Sequence, residues 1–243
     1  MNNNIIKINN VSKRFNNKKA LDNISLDITK GSITGLFGGN GAGKTTLMKL
    51  LTNQIKSDSG SILIKDKPLV FNSKINASIG CLLERPSLYP YLTAREHLSL
   101  FNLLNTKNRD SNIKQLVEAY GLDEFKDLKA KEYSLGMKQR LGLGIAELLG
   151  GEILILDEPF NGLDPVNVNK LRSRIKFLKN KGVTIVLSSH LIRELDDIID
   201  NLVILSKGEL VHSISLNDFM KDKDNSLESE ILKIMEAQDG KFI

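Results

Sequence analysis

The sequence predicts an α/β fold: a mostly parallel sheet covered by helices, with a helical segment inserted into it. Three observations carry this. Short apolar runs alternate with helix-spaced ones in both the first and last thirds of the chain. Between about Pro86 and Leu149 the apolar spacing is helical throughout. A glycine-rich loop follows an apolar strand and opens a helix.

Strands are expected at Ile5–Ile8, Ile24–Ile28 and Ile33–Phe37, bounded by turn formers such as Asn9-Asn10 and Lys30-Gly31. The next helix carries Leu47, Leu50 and Leu51 on one side. Ser57-Asp58-Ser59-Gly60 closes that region, and strand character resumes at Ile62–Ile64. In the insertion, Leu98, Phe101 and Leu104 form one helical stripe. Ile113, Leu116, Val117 and Tyr120 form another, and Gly121 and Gly136 punctuate the segment. Beyond it come a strand at Ile153–Leu156, a helix after Pro165, a strand at Val183–Leu187, a helix near Leu191–Ile199 and a strand at Leu202–Leu205. Asp164 before Pro165 reads as an N-cap, Gly182 as the stop, and Leu171, Ile175 and Leu178 as the buried face. A last helix is predicted with Asn225 and Glu228 as a capping pair and Leu227, Ile231, Ile234 and Met235 as its stripe.

The chain has 243 residues, of which 41% are hydrophobic, enough for one domain with a real core. No apolar run reaches bilayer length, and the opening MNNNIIKINN lacks the layout of a signal peptide. The protein is therefore expected in the cytoplasm, with any membrane part on another chain. A lone Cys81 excludes an intramolecular disulfide and reads as a small core residue. The net charge is +5, but Lys13, Arg14, Lys18 and Lys19 are spread among acidic residues. Trp is absent and no aromatic stripe accompanies them, so no nucleic-acid partner is expected.

Two segments carry chemistry. Gly38-Gly39-Asn40-Gly41-Ala42-Gly43-Lys44-Thr45 fits G-x-x-x-x-G-K-[ST]. Glycines let the backbone N–H groups curl inward, and the helix start adds a positive dipole end beneath bound phosphates. Lys44 is expected on the β- and γ-phosphates, the Thr45 hydroxyl on Mg²⁺, and Thr46 as a further hydroxyl contact. Ile153-Leu154-Ile155-Leu156 is a buried strand that emerges in Asp157 and Glu158. Ligands of parallel sheets sit at the carboxyl ends of strands, so Asp157 is assigned to the metal shell and Glu158 to an attacking water. The two side chains point apart if the strand stays extended. Ser134 is placed to cap the helix running through Leu141, Ile145 and Leu148, whose start carries free N–H groups and a positive dipole end.

Further segments, in order and spacing, resemble the ATP-binding-cassette (ABC) family along nearly the whole chain. Tyr133-Ser134-Leu135-Gly136-Met137-Lys138-Gln139-Arg140 is similar to its signature, usually L-S-G-G-Q-x-Q-R. Asn161-Gly162-Leu163-Asp164 resembles the loop after the acidic strand, and Ser188-Ser189-His190 the switch histidine. The resemblance implies a P-loop NTPase (RecA-like) core with a mostly parallel sheet, an N-terminal antiparallel β subdomain and an inserted α-helical subdomain. It divides the chain into an α/β core at 1–85 and 150–212, a helical subdomain at 86–149 and a helical tail at 213–243. It implies an ATPase using ATP and Mg²⁺, a head-to-tail homodimer with ATP at the seam, and a separate integral membrane permease that holds the chain at the inner face of the membrane.

In that dimer Gly38 to Thr46 of one copy and Ser134 and Gly136 of the other share one nucleotide. His190 meets the γ-phosphate and helps place the water, and Asp164 reaches across the seam. Phe15 stands where the family stacks an aromatic on adenine, although a core Phe remains an alternative. The chain departs from the family at Leu135 and Met137, where Gly and Gln are usual, and at Gly39, where Pro is frequent. It also has Glu84 where a Gln normally meets Mg²⁺. Glu84 and the following Arg85–Glu96 stretch resemble exporters that protect against bacitracin or lantibiotic peptides. A ligand that has drifted without consequence is the other reading of Glu84. Outside transport, a soluble cassette ATPase and a nucleotide-sensing module are the competing functions. Single-cassette length argues against the first, and the presence of both Glu158 and His190 against the second.

Overall fold

The computed structural model describes residues 3–75, 79–104, 109–190, 192–221, 223 and 225–239. Strands β1 (Asn4–Phe15) and β2 (Lys18–Thr29) form an antiparallel hairpin. The chain then crosses to a second sheet through β3 (Ile33–Phe37) and enters α1 (Lys44–Leu51). It returns to the first sheet with β4 (Ser59–Ile64) and the short β5 (Lys67–Pro68), giving the order β2-β1-β4-β5. The Asn9-Asn10 pair expected to end the first strand is instead a bulge inside it. Asn10 and Asn23 take positive φ, 50° and 54°, and Asn10 Nδ2 donates to Asn23 Oδ1 at 2.8 Å. Pairing resumes on both sides of the register shift, because a bulge bends a strand without ending it.

After β6 (Ile79–Leu82) come the helices of the insertion, α2 (Ala94–Phe101), α3 (Arg109–Ala119) and α4 (Leu135–Leu149). Then follow β7 (Ile153–Leu156), α5 (Pro165–Asn180), β8 (Thr184–Ser188), β9 (Asn201–Ser206), β10 (Glu209–Ser215), α6 (Leu216–Met220) and α7 (Leu227–Asp239). The larger sheet has the order β10-β9-β3-β8-β7-β6, parallel except for its β10 edge.

This sheet is covered on both sides, which is why β3, β7 and β8 are buried at every residue. Ile153 and Ile155 face α1 and the antiparallel sheet. Leu154 and Leu156 face α4, α5 and the insertion, as the period of two in a strand requires. Leu171, Ile175 and Leu178 bury one side of α5, and Asp164 caps it by accepting from the N–H groups of Val166 and Asn167, both at 3.0 Å.

Three expectations change. The segment near Leu191–Ile199 is a single 3-10 turn, Ile192–Glu194, followed by turns; Leu191 lies outside the described residues. The last helix is capped by Ser226, whose Oγ accepts from Ser229 N, while Asn225 reaches Glu230 instead. Its stripe does dock, with Ile231 fully buried and Leu227 nearly so. Cys81 is a free, half-buried thiol, and burial pushes its pKa up.

Candidate functional site

The all-buried β3 ends at Phe37, and the loop that follows needs glycine at two places. Gly38 has φ 149°, and a Cβ there would lie 2.3 Å from Leu205 O. Gly43 has φ 108°, with Ala20 O 2.7 Å from its would-be Cβ. Gly43 caps α1 without a side chain, which leaves the first N–H groups of the helix for an anion. Gly39 differs: a Cβ there would only touch Met235 Cε at 3.8 Å, so this position tolerates a side chain. Lys44 folds back over the loop and donates to Gly38 O at 2.7 Å and Gly39 O at 3.3 Å.

The loop forms one wall of a cavity of about 380 Å³. Asn40, Lys44, Thr45 and Thr46 line it on that side, Asp157 and Glu158 close it, and Phe15 stands at its edge. Phe15 is 47% exposed, which removes the core reading of this residue. A larger cavity, about 740 Å³, lies in the insertion against Leu100, Leu103 and Leu122, with no residue of the phosphate-type loop in its lining.

Asp157 is buried, and its carboxylate accepts from Thr45 Oγ1 at 2.6 Å and Ser188 Oγ at 2.5 Å. A hydroxyl and a carboxylate at one point are hard oxygen donors of the kind Mg²⁺ takes, alongside waters and phosphate oxygens. Among the described residues no group of three or more His, Cys, Asp or Glu converges, so a zinc-type protein cage is not the fit.

The strand does not stay extended past Leu156. Glu158 has φ 49°, a left-handed conformation uncommon for a residue with a Cβ. That turn brings Glu158 to the same cavity as Asp157 rather than the opposite side. Its N–H donates to Ser188 Oγ at 2.9 Å, and its carboxylate accepts from His190 N at 3.2 Å and contacts His190 Nδ1 at 2.7 Å. With Nδ1 as donor, the imidazole is held by the carboxylate and Nε2 is left for another partner. Nearby Glu194 has its carboxyl raised, first by burial; His190 opposes that shift and Glu158 adds to it.

Four predicted residues stand outside this set. Ser134 is exposed and caps α4, accepting from Met137 N at 3.2 Å. Gly136 lies against the loop after β7, where a Cβ would come 2.7 Å from Gly162 O. Asp164 is occupied by its helix cap, and those N–H and amide bonds from Asn167 hold its carboxyl below the ordinary range. Glu84, assigned to the metal, does not line the cavity of Thr45 and Asp157. Its carboxylate pairs with Lys49 at 2.7 Å and lines a neighbouring cavity with Pro86 and Phe101. Sequence reasoning missed Ser188 as the hydroxyl that joins Asp157 to Glu158, and Gln139, described below. The signal for Ser188 was a small polar residue at the end of an otherwise apolar strand.

A family model described as "ABC transporter" matches residues 21–161. The chain is similar to the bacitracin transport ATP-binding protein BcrA of Bacillus licheniformis, 38% identical over 93% of this chain and 75% of that protein. It is also similar to the lantibiotic transport ATP-binding protein SrtF of Streptococcus pyogenes, 35% identical over 85% of this chain and 89% of that protein. A solved ATP-binding cassette, a dimer in a post-hydrolysis state with ADP and Pi, superposes with TM-score 0.78 at 23% identity. The match covers 87% of this chain and 98% of that one.

Proposed function

Since this chain belongs to the ABC transporter family, as an ATP-binding subunit and an ATPase, we propose that two copies close around MgATP and drive a separate membrane permease that exports a peptide antibiotic of the bacitracin or lantibiotic kind. One observation carries the dimer. The nucleotide cavity of a single chain has the phosphate loop and acidic pair but lacks Ser134 and Gly136, while the capped start of α4 stands exposed with its N–H groups unused by that cavity. A second copy in head-to-tail order supplies what each half-site lacks, and the γ-phosphate becomes the contact that holds the seam. A cassette of the same fold is a dimer with ADP and Pi bound, which supports the pairing of two copies.

In the closed site, Lys44 and the loop N–H groups hold the β- and γ-phosphates, and Phe15 stacks on the base. Thr45 and Asp157 would hold Mg²⁺, which supplies charge neutralisation on the phosphate oxygens. Glu158 orients a water toward the γ-phosphorus and takes its proton, and His190 orients Glu158 and reaches the γ-phosphate. Hydrolysis removes the γ-phosphate contact and the seam opens.

Among the described residues no helix is long and apolar enough to cross a membrane, so the proposed membrane span belongs to the permease. The chain then sits in the cytoplasm, peripheral on the inner face. The test is fractionation: with the cognate permease co-expressed, the chain should sediment with membranes, and without it remain in the supernatant. Recovery in the supernatant under both conditions would contradict the permease partnership. For cargo, deleting the chain from its host should lower tolerance to bacitracin or a lantibiotic by severalfold, and unaltered tolerance to both would remove the peptide assignment.

Glu84 is the point where this reading meets the permease. Its bond to Lys49 is exposed and worth at most about 1 kcal/mol. Glu84→Gln should therefore keep the ATP KM within about twofold while changing antibiotic tolerance. Equal tolerance in the two strains would leave Glu84 without a special role.

A further inference from the structure

Helix α4 grips the rest of the chain through two consecutive buried side chains that point in different directions. Gln139 is 4% exposed, and its amide donates to the carbonyls of Pro159 at 3.1 Å and Glu158 at 3.3 Å. Arg140 reaches into the insertion, where Nη1 donates to Gly121 O at 3.3 Å and Glu124 Oε2 at 2.8 Å, and the guanidinium lies 4.9 Å from the Phe125 ring centroid. At the start of the helix a second contact is made with the chain after β7. A Cβ on Gly162 would lie 2.7 Å from Leu135 Cγ, and one on Gly136 would lie 2.7 Å from Gly162 O. Helix α4 is thus seated on the segment that begins with Glu158.

That segment needs holding. Glu158 keeps its left-handed backbone through bonds at both ends of its peptide groups. Its N–H donates to Ser188 Oγ at 2.9 Å, and its carbonyl accepts from Asn161 N at 3.2 Å and from Gln139. A conformation this rarely populated persists only where its surroundings over-determine it. Of these three donors and acceptors, Gln139 alone comes from the helix whose exposed start would serve the other copy's nucleotide.

We propose that Gln139 is a positioning residue that ties helix α4, and with it the state of the partner copy's nucleotide, to the placement of Glu158 at the chain's own nucleotide. The proposal rests on the shared-seam dimer described above. When the γ-phosphate at the start of α4 is present, the helix is clamped and Glu158 is held in its strained turn. When that phosphate is gone, the amide relaxes its hold and the opposite site slows. The two sites then hydrolyse as a coordinated pair through a path inside one chain.

Mixed dimers separate this role from simple packing. One copy carries Glu158→Gln, so only the other copy's Glu158 turns over. Gln139→Met, which keeps the length and loses the donor, is placed either in the active copy or in the inactive one. In the active copy it should lower kcat about tenfold with the ATP KM within twofold. In the inactive copy it should change kcat less than twofold. Equal effects from the two placements, or none from either, would overturn the proposal, since loss of packing or of dimer stability does not distinguish them. Should Gln139→Met not fold, Gln139→Asn keeps an amide one methylene short of both carbonyls and carries the same expectation. Failure of the two copies to pair in MgATP at all, in otherwise folded material, would instead count against the shared seam.

Discussion

Replacing Glu158 with Gln should cut ATP turnover by about a hundredfold to ten-thousandfold while ATP still binds. The side chain keeps its shape and can still sit beside His190, whose Nδ1 lies 2.7 Å from the present carboxylate. It can no longer accept the proton that the attacking water must lose. The backbone is fixed independently by Ser188 and Gln139, so the substitution should not move the turn. Phosphate release measured beside equilibrium binding of a labelled ATP checks both halves. A variant that turns over within tenfold of the wild type would mean another group takes the proton.

The second large effect is at Lys44. Its ammonium rests on the carbonyls of Gly38 and Gly39, within reach of any phosphate drawn into the loop. The ammonium already makes charge-assisted bonds to these two neutral carbonyls, and exchanging them for anionic phosphate oxygens adds direct attraction between opposite charges. Lys44→Ala removes the only cationic side chain belonging to the loop itself, and the glycine geometry around it remains. Turnover should fall by about a hundredfold or more, of the order seen when one preorganised donor to a transition state is lost. ATP affinity should fall at least tenfold, and the melting temperature should stay close to that of the parent. Hydrolysis near the parent rate in Lys44→Ala would take the γ-phosphate away from this loop.

What could be read from the chain was what local rules dictate. The loop Gly38–Thr45 needs glycine at Gly38 and Gly43 because carbonyls of Leu205 and Ala20 fill the space of a side chain, and the residue types alone carry that demand. Caps at Ser134 and Asp164 are likewise decided within three or four residues. The unbroken apolar run of β7 announced both the buried strand and the acids where it emerges.

Tertiary contacts were not legible. Asn9-Asn10 has the composition of a turn, but pairing with β2 on one side and β4 on the other carries the strand through it. The stretch after His190 has helical spacing, yet it folds as a 3-10 turn and successive turns whose buried Ile192, Leu195, Ile198 and Ile199 pack into the core. Glu84 reads as a metal ligand by position, and only the three-dimensional placement of Lys49 gives it a partner elsewhere. Ser188 and Gln139 lie 30 and 19 residues from Glu158, and no local pattern shows that both bond to its backbone.

The mass of the Glu158→Gln variant in solution, measured by light scattering with saturating ATP and Mg²⁺ and again with neither, tests the central claim most directly. A particle of twice the chain mass that forms with MgATP and returns to one chain when nucleotide is withdrawn is the predicted result. A single-chain mass under both conditions, for protein shown to have ATP bound and with its permease added as well as without, would contradict it.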